Sequence, residues 1–169
     1  AAMKKPTVYL DTTIISAYWY EGADVPSLAR RVKTRDWWQA ESEYSSLWIS
    51  ATTVNELRAG RFRRQADCLR MAQRLLRVPV NRATDQLADD LLAARIVPEE
   101  KRGDALQLAV STAADIDYLL TWNYAHLVNP IVQERLVAFC RTRHLRAPLL
   151  VSPESIPSVR LGHSLRRRD

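Results

Sequence analysis

Five polar residues stand where an open parallel sheet collects its chemistry. Asp11 ends the apolar run Thr7–Leu10, and Thr121 and Asn123 stand at the carboxyl end of the run Tyr118–Thr121. Glu56 lies one helical turn beyond a third run, Leu47–Ser50, and Asp104 opens the helix that leads into Tyr118. Sites in such sheets form past the carboxyl ends of strands, near the point where strand order reverses. Each acid also has a plainer use. Asp11 could cap the following helix, Glu56 could complete a capping box with Thr53, and Asp104 could be a first-turn acid favoured by the helix dipole. Asp89 and Asp90 read as a solvated helix face, while Asp115 and Asp117 precede Tyr118, at the wrong end of the sheet.

The elements that must position these residues follow from pattern. Thr7–Leu10, Leu47–Ser50, Val78–Val80, Tyr118–Thr121 and Leu149–Val151 read as strands, short and rich in β-branched or aromatic residues. Between them, Thr12–Trp19, Val25–Tyr44, a segment capped by Thr52 or Thr53, Arg61–Arg77, Thr84–Ile96, Lys101–Ala114 and Pro130–His144 read as helices. Ser152-Pro153-Glu154 reads as the start of a short one. Ala105, Leu108, Ala109 and Thr112 make one stripe, which would bring Asp104 against the strand ends. Strands alternating with helices imply an α/β domain with a mostly parallel sheet.

Composition excludes much else. The chain has 169 residues and only 4 glycines, none near another, so neither a P-loop nor a dinucleotide-binding glycine turn is present. Cys68 and Cys140 are far apart, and His126, His144 and His163 form no HExxH, so a metal would need oxygen ligands, which favour Mg²⁺ or Mn²⁺. No run approaches a membrane span, and so few cysteines make a reducing cytoplasm the expected compartment. The formal net charge is +6, matched by the seven arginines and one acid between Arg61 and Arg82. Arg30, Arg31, Lys33 and Arg35 form a second cluster, and Arg166–Arg168 a third. Clustered guanidinium groups suit phosphate. Residues 4–157 are expected to form one domain, and 158–169 a basic, flexible tail. Of the tryptophans, Trp48 is expected to pack. Trp122 lies beside the site, where packing competes with base stacking, and one of the adjacent Trp37 and Trp38 could reach a dimer interface.

Three stretches resemble PIN-domain ribonucleases, particularly the VapC-like toxins of toxin–antitoxin systems and their orphan relatives. They are YLDTTIIS, ISATTVNELRAG and GDALQLAVSTAADIDYLLTWNYAHLVN, and the closing LLVSPESI adds to the match. The resemblance implies a three-layer α/β/α fold with a five-stranded parallel sheet in the order 3-2-1-4-5. It implies Asp11, Glu56 and Asp104 as catalytic acids and metal ligands. Asn123 stands where many relatives carry a fourth acid and completes the catalytic set without charge.

The expected activity is endoribonuclease cleavage of RNA with Mg²⁺ or Mn²⁺, through a metal-activated water. Asp11 and Asp104 would be direct ligands, and Glu56 would ligate or orient the water. Thr12, Thr121, Arg58 and Arg102 would contact substrate. A cognate antitoxin protein and a homodimer are the implied partners, with no membrane. The alternative is a PIN-like RNA- or protein-binding module with weak or no nuclease activity. A haloacid-dehalogenase-type phosphatase also places an Asp after strand one. It needs a second Asp two residues on, where this chain has Thr13.

Overall fold

The computed structural model describes residues 4–160. Five strands form one parallel sheet, lying side by side in the order third, second, first, fourth, fifth along the chain, as expected for a PIN-like α/β fold. In chain order the elements are β1 Thr7–Leu10, α1 Thr12–Tyr18, α2 Val25–Glu41, a 3₁₀ turn Ser42–Tyr44, β2 Ser46–Ile49, α3 Ala51–Ala59 and α4 Gln65–Gln73. They continue with β3 Leu76–Arg77, α5 Arg82–Ala93, α6 Arg102–Ala113, β4 Tyr118–Leu120, α7 Pro130–Thr142 and β5 Leu149–Val151.

Parallel pairing requires a crossover between strands, so helices cover both faces and each face has its own core. Tyr9, Leu119 and Leu150 pack with residues of α5, α6 and α7. Val8, Leu10, Leu120 and Val151 pack with α1, α3 and α4 and with Trp37 of α2. On α6 the stripe Ala105, Leu108, Ala109 and Thr112 is buried. The β1–β4 ladder ends at Leu10 opposite Leu120, and the Asp11 N–H donates to the Leu120 carbonyl at 3.0 Å. Asp11 therefore emerges at the reversal of strand order.

Four local expectations are corrected. The stretch Arg61–Arg77 is not one helix. Gln65 Nε2 donates to carbonyls at the end of α3, Arg64 takes a left-handed backbone (φ 64°), and only Gln65–Gln73 is helical. The basic residues are thus spread over a connection, α4, β3 and the start of α5. The third strand is Leu76–Arg77 rather than Val78–Val80. Val78 N–H still donates to Ile49 O, but β2 ends there and gives way to α3 at Ala51, so the ladder has no partner to continue on. Ser50, not Thr52 or Thr53, caps α3, accepting from Thr52 N–H, so Glu56 is not a capping-box partner. Ser152–Ser155 is a single turn rather than a helix, and Pro157 blocks its extension.

Buried Glu41 at the end of α2 accepts hydrogen bonds from Ser158 Oγ and from the N–H groups of Val159 and Arg160. These bonds tie Ser158, Val159 and Arg160, the first residues of the expected tail, to α2; the rest of that tail lies outside the described residues. Among the described residues no helix is long and apolar enough to cross a membrane.

Candidate active site

Asp11 is 4% exposed and caps α1. Its Oδ2 accepts from Thr13 N–H at 3.4 Å, Thr13 Oγ1 at 2.7 Å and Thr121 Oγ1 at 2.7 Å. Among the described residues nothing donates to Oδ1. Capping and site-building are thus the work of a single carboxylate, with one oxygen anchored and the other open. Thr13 and Thr121 pass the restraint on: their hydroxyls accept from the N–H groups of Trp122 and Asn123, at 2.9 and 3.0 Å. The loop after β4 is thereby tied to the start of α1.

Glu56, on α3, is half-buried. Its Oε2 accepts from Thr12 Oγ1 at 2.5 Å and from Gln107 Nε2 at 3.5 Å. Its Oε1 faces α6 at Gly103, where an added Cβ would lie 3.1 Å away. Gly103 is therefore the gap into which this carboxylate fits. Gln107 is fully buried, and its carbonyl oxygen accepts from the Tyr9 hydroxyl, which also bonds Ser50 Oγ at 2.6 Å. A chain of hydrogen bonds runs from Ser50 through Tyr9 and Gln107 to Glu56.

Asp104, in the first turn of α6, accepts on Oδ2 from Asn123 Nδ2 at 3.2 Å. Asn123 Oδ1 accepts from His126 N–H at 3.0 Å, which fixes which end of the amide is oxygen. With that oxygen committed to the turn, Asn123 acts as a neutral donor to Asp104.

The site is electrostatically loaded. Burial is the largest influence on the Glu56 carboxyl and holds it above the ordinary range, with Asp11 and Asp104 adding repulsion. Burial also raises the Asp104 carboxyl, and Asp11 adds to it, against opposition from Asn123, His126 and Lys101. A cation placed among the three acids would relieve both effects. Among the described residues, no three Asp, Glu, His or Cys side chains lie close enough to form a ready-made metal cage. A hard ion that keeps several waters does not need one.

The other expected contacts divide. Thr12 and the fully buried Thr121 spend their hydroxyls on Glu56 and Asp11, and so hold the acids in place. Arg58 is exposed in the last turn of α3 with no ion pair among the described residues, whereas Arg102 pairs with Asp89. Trp122 is buried, its indole N–H donating to Thr34 Oγ1 at 2.8 Å, so packing is its role. Trp38 packs on Tyr18 with ring centroids 5.7 Å apart. The pattern of the sequence did not single out Tyr9, Ser50, Thr13 or Gln107. Gln107 had one signal: it is a polar residue one turn after Asp104 in an otherwise small and apolar run.

Neither known protein-family profiles nor curated proteins give a match to the chain. Among solved structures it is similar to VapC20 of Mycobacterium tuberculosis, a toxin that cleaves the sarcin–ricin loop. The TM-score is 0.54 at 16% identity, covering 70% of this chain and 92% of that one. The similarity establishes a VapC-like PIN fold.

Proposed function

We propose that this chain is a divalent-cation-dependent endoribonuclease of the VapC-like kind, hydrolysing RNA phosphodiester bonds at the cleft of Asp11, Glu56 and Asp104. The observation that supports the reading is that Asp11, near the β1–β4 reversal, acts on both the Glu56 and the Asp104 carboxyls and helps raise them. Asp11 and Asp104 are each anchored through Oδ2, and their Oδ1 atoms have no donor among the described residues. This donor set fits Mg²⁺ or Mn²⁺, with Asp11 and Asp104 as first ligands. Such an ion, when bound, supplies charge stabilisation at phosphoryl oxygens and a more acidic water.

The chain's own groups do the rest. Thr121 and Thr13 hold Asp11, and Asn123 holds Asp104. Glu56, steadied by Thr12 and Gln107, would ligate the cation or orient a water. Arg58 takes a substrate phosphate. A cognate antitoxin covering the cleft, a homodimer and a cytoplasmic setting belong to the same reading.

The test is cleavage of total cellular RNA with Mg²⁺, Mn²⁺ or chelator, run beside Asp11→Asn and Asp104→Asn, with circular dichroism confirming the fold. Cation-dependent cleavage by the parent and its loss in both folded variants is the expected result. Full activity in both variants overturns the assignment. A second reading is a PIN-like RNA- or protein-binding module with weak or no nuclease activity, in which the neutral Asn123, rather than a further acid, stands beside Asp104. Cation binding by calorimetry without RNA cleavage would select it.

A further inference from the structure

Four basic residues cluster along α2, and three are already committed. Arg31 donates to Tyr20 O at 3.1 Å, Lys33 pairs with Glu154, and Arg35 donates to Tyr18 O at 2.8 Å. Arg30 differs. Among the described residues its guanidinium makes no hydrogen bond and no ion pair. It lies over two rings instead, 5.4 Å from the centroid of Trp122 and 6.0 Å from that of Tyr124. A guanidinium held by ring faces keeps its N–H donors for another partner.

The two rings are not equivalent. Trp122 is buried and bonded to Thr34. Tyr124 is 40% exposed, yet its position is fixed: its hydroxyl donates to Glu154 Oε2 at 2.8 Å and shares a hydrogen bond with Ser152 Oγ at 3.0 Å, and the ring meets Trp122 edge-on at 6.2 Å. Lys33 neutralises Glu154, the nearest acid bonded to this ring. Tyr124 directly follows Asn123, the residue that donates to Asp104. A fixed aromatic face and a cation with free donors therefore stand together, the ring one residue along the chain from the partner of Asp104.

We propose that Tyr124 and Arg30 form a nucleotide subsite on the rim of the cleft, where Tyr124 stacks on an unpaired base and Arg30 takes the adjoining phosphate of single-stranded RNA. The inference rests on the ribonuclease reading for its substrate class, and it deepens that reading by locating where the strand lies. Stacking on a ring accepts any base, so the subsite sets strand position and requires unpaired RNA without selecting sequence. An acidic peptide would use Arg30 and leave the ring idle.

The test measures fluorescence anisotropy of a labelled single-stranded RNA octamer of mixed sequence with the full chain in chelator, where cation-dependent cleavage does not run. Tyr124→Phe keeps the ring and drops the hydroxyl; Tyr124→Leu keeps apolar bulk and drops the ring. Binding within about twofold of the parent is expected for Tyr124→Phe, and about tenfold weakening for Tyr124→Leu, the scale of one stacked base. Arg30→Gln should also weaken binding and make the logarithmic salt slope shallower by about 0.7, one phosphate contact on a single strand, while Tyr124→Leu leaves the slope unchanged.

Parent-like binding by Tyr124→Leu, equal weakening in Phe and Leu, or an unchanged slope in Arg30→Gln overturns the subsite. So does an RNA that fails to bind the parent at low salt, including the case where only acidic peptides bind. Cleavage with added Mg²⁺ is scored separately. The expected binding pattern without cleavage removes the nuclease reading and leaves the subsite standing.

Discussion

Replacing Thr121 by Val isolates one hydroxyl beneath the cleft. The side chain is fully buried, and valine matches its shape, so volume is conserved while two hydrogen bonds disappear. The first is donation to the Asp11 carboxylate at 2.7 Å, a bond to a charged group, ordinarily about 1.5–3 kcal/mol. The second is acceptance from Asn123 N–H at 3.0 Å. Asn123 is half-buried, so water can replace part of that loss, and a net destabilisation of about 2–4 kcal/mol is expected. For a chain of this length that corresponds to a melting temperature lower by roughly 5–15 °C. Urea unfolding should show a lower midpoint with an unchanged slope, since the surface exposed on unfolding is the same. Thr121→Ser keeps the hydroxyl and should lose less than about 1 kcal/mol. If RNA is cleaved, Thr121→Val should lower kcat more than it raises KM, because the residue holds Asp11 and does not touch substrate. A stability loss below about 0.5 kcal/mol would show that Asp11 does not depend on this donor, and the hydroxyl chain would lose its assigned role.

Three further outcomes follow from the geometry. Glu56 and Asp104 have raised folded carboxyl values, so the folded state holds more protons than the unfolded one as pH rises from the ordinary carboxylate range toward those values. Metal-free stability should therefore fall across that window, and Glu56→Gln or added Mg²⁺ should flatten the decline, measured by denaturation at pH 4.5 and pH 7 (about one carboxylate range apart) in chelator and in cation. Gly103→Ala adds a Cβ 3.1 Å from Glu56 Oε1, so activity should fall while helix propensity, worth up to about 1 kcal/mol, holds or raises the melting temperature; equal activity would remove Glu56 from the site. Arg58→Gln should weaken RNA binding and make the salt slope shallower, whereas Arg102→Gln, which breaks an exposed pair with Asp89, should change stability by less than about 1 kcal/mol.

What could be read from the sequence was local. β1 and β5 have the expected bounds because an apolar run ends at a polar residue in each case. The α6 stripe was visible through its period, and it carried Asp104 with it. The misread segments turned on single contacts between separated residues. The arginine-rich stretch has helical composition throughout, and only Gln65 reaching back to α3 and the left-handed Arg64 divide it. Ser50 competes with Thr52 and Thr53 for the same cap, and all three are good capping residues. The Tyr9–Gln107 bond joins residues 98 positions apart, so no window along the chain contains both. Tyr124 was overshadowed by Trp122, since composition does not say which of two nearby aromatic rings reaches solvent.

The tie between Asp11 and Thr121 spans 110 positions, and Asp104 receives its donor from Asn123. Asp11 leaves the ribosome long before β4 exists to pair with β1. With synthesis at about 5–20 residues per second, several seconds separate the two. In that interval Asp11 has no Thr121 beside it, and no growing chain that stops short of β4 and Asn123 holds an assembled cleft. Parallel pairing across such distances is slow to form as well. The order of translation thus delays the carboxylate centre until β4 and Asn123 have emerged, when β1, α1, α3 and α6 are already made to hold it.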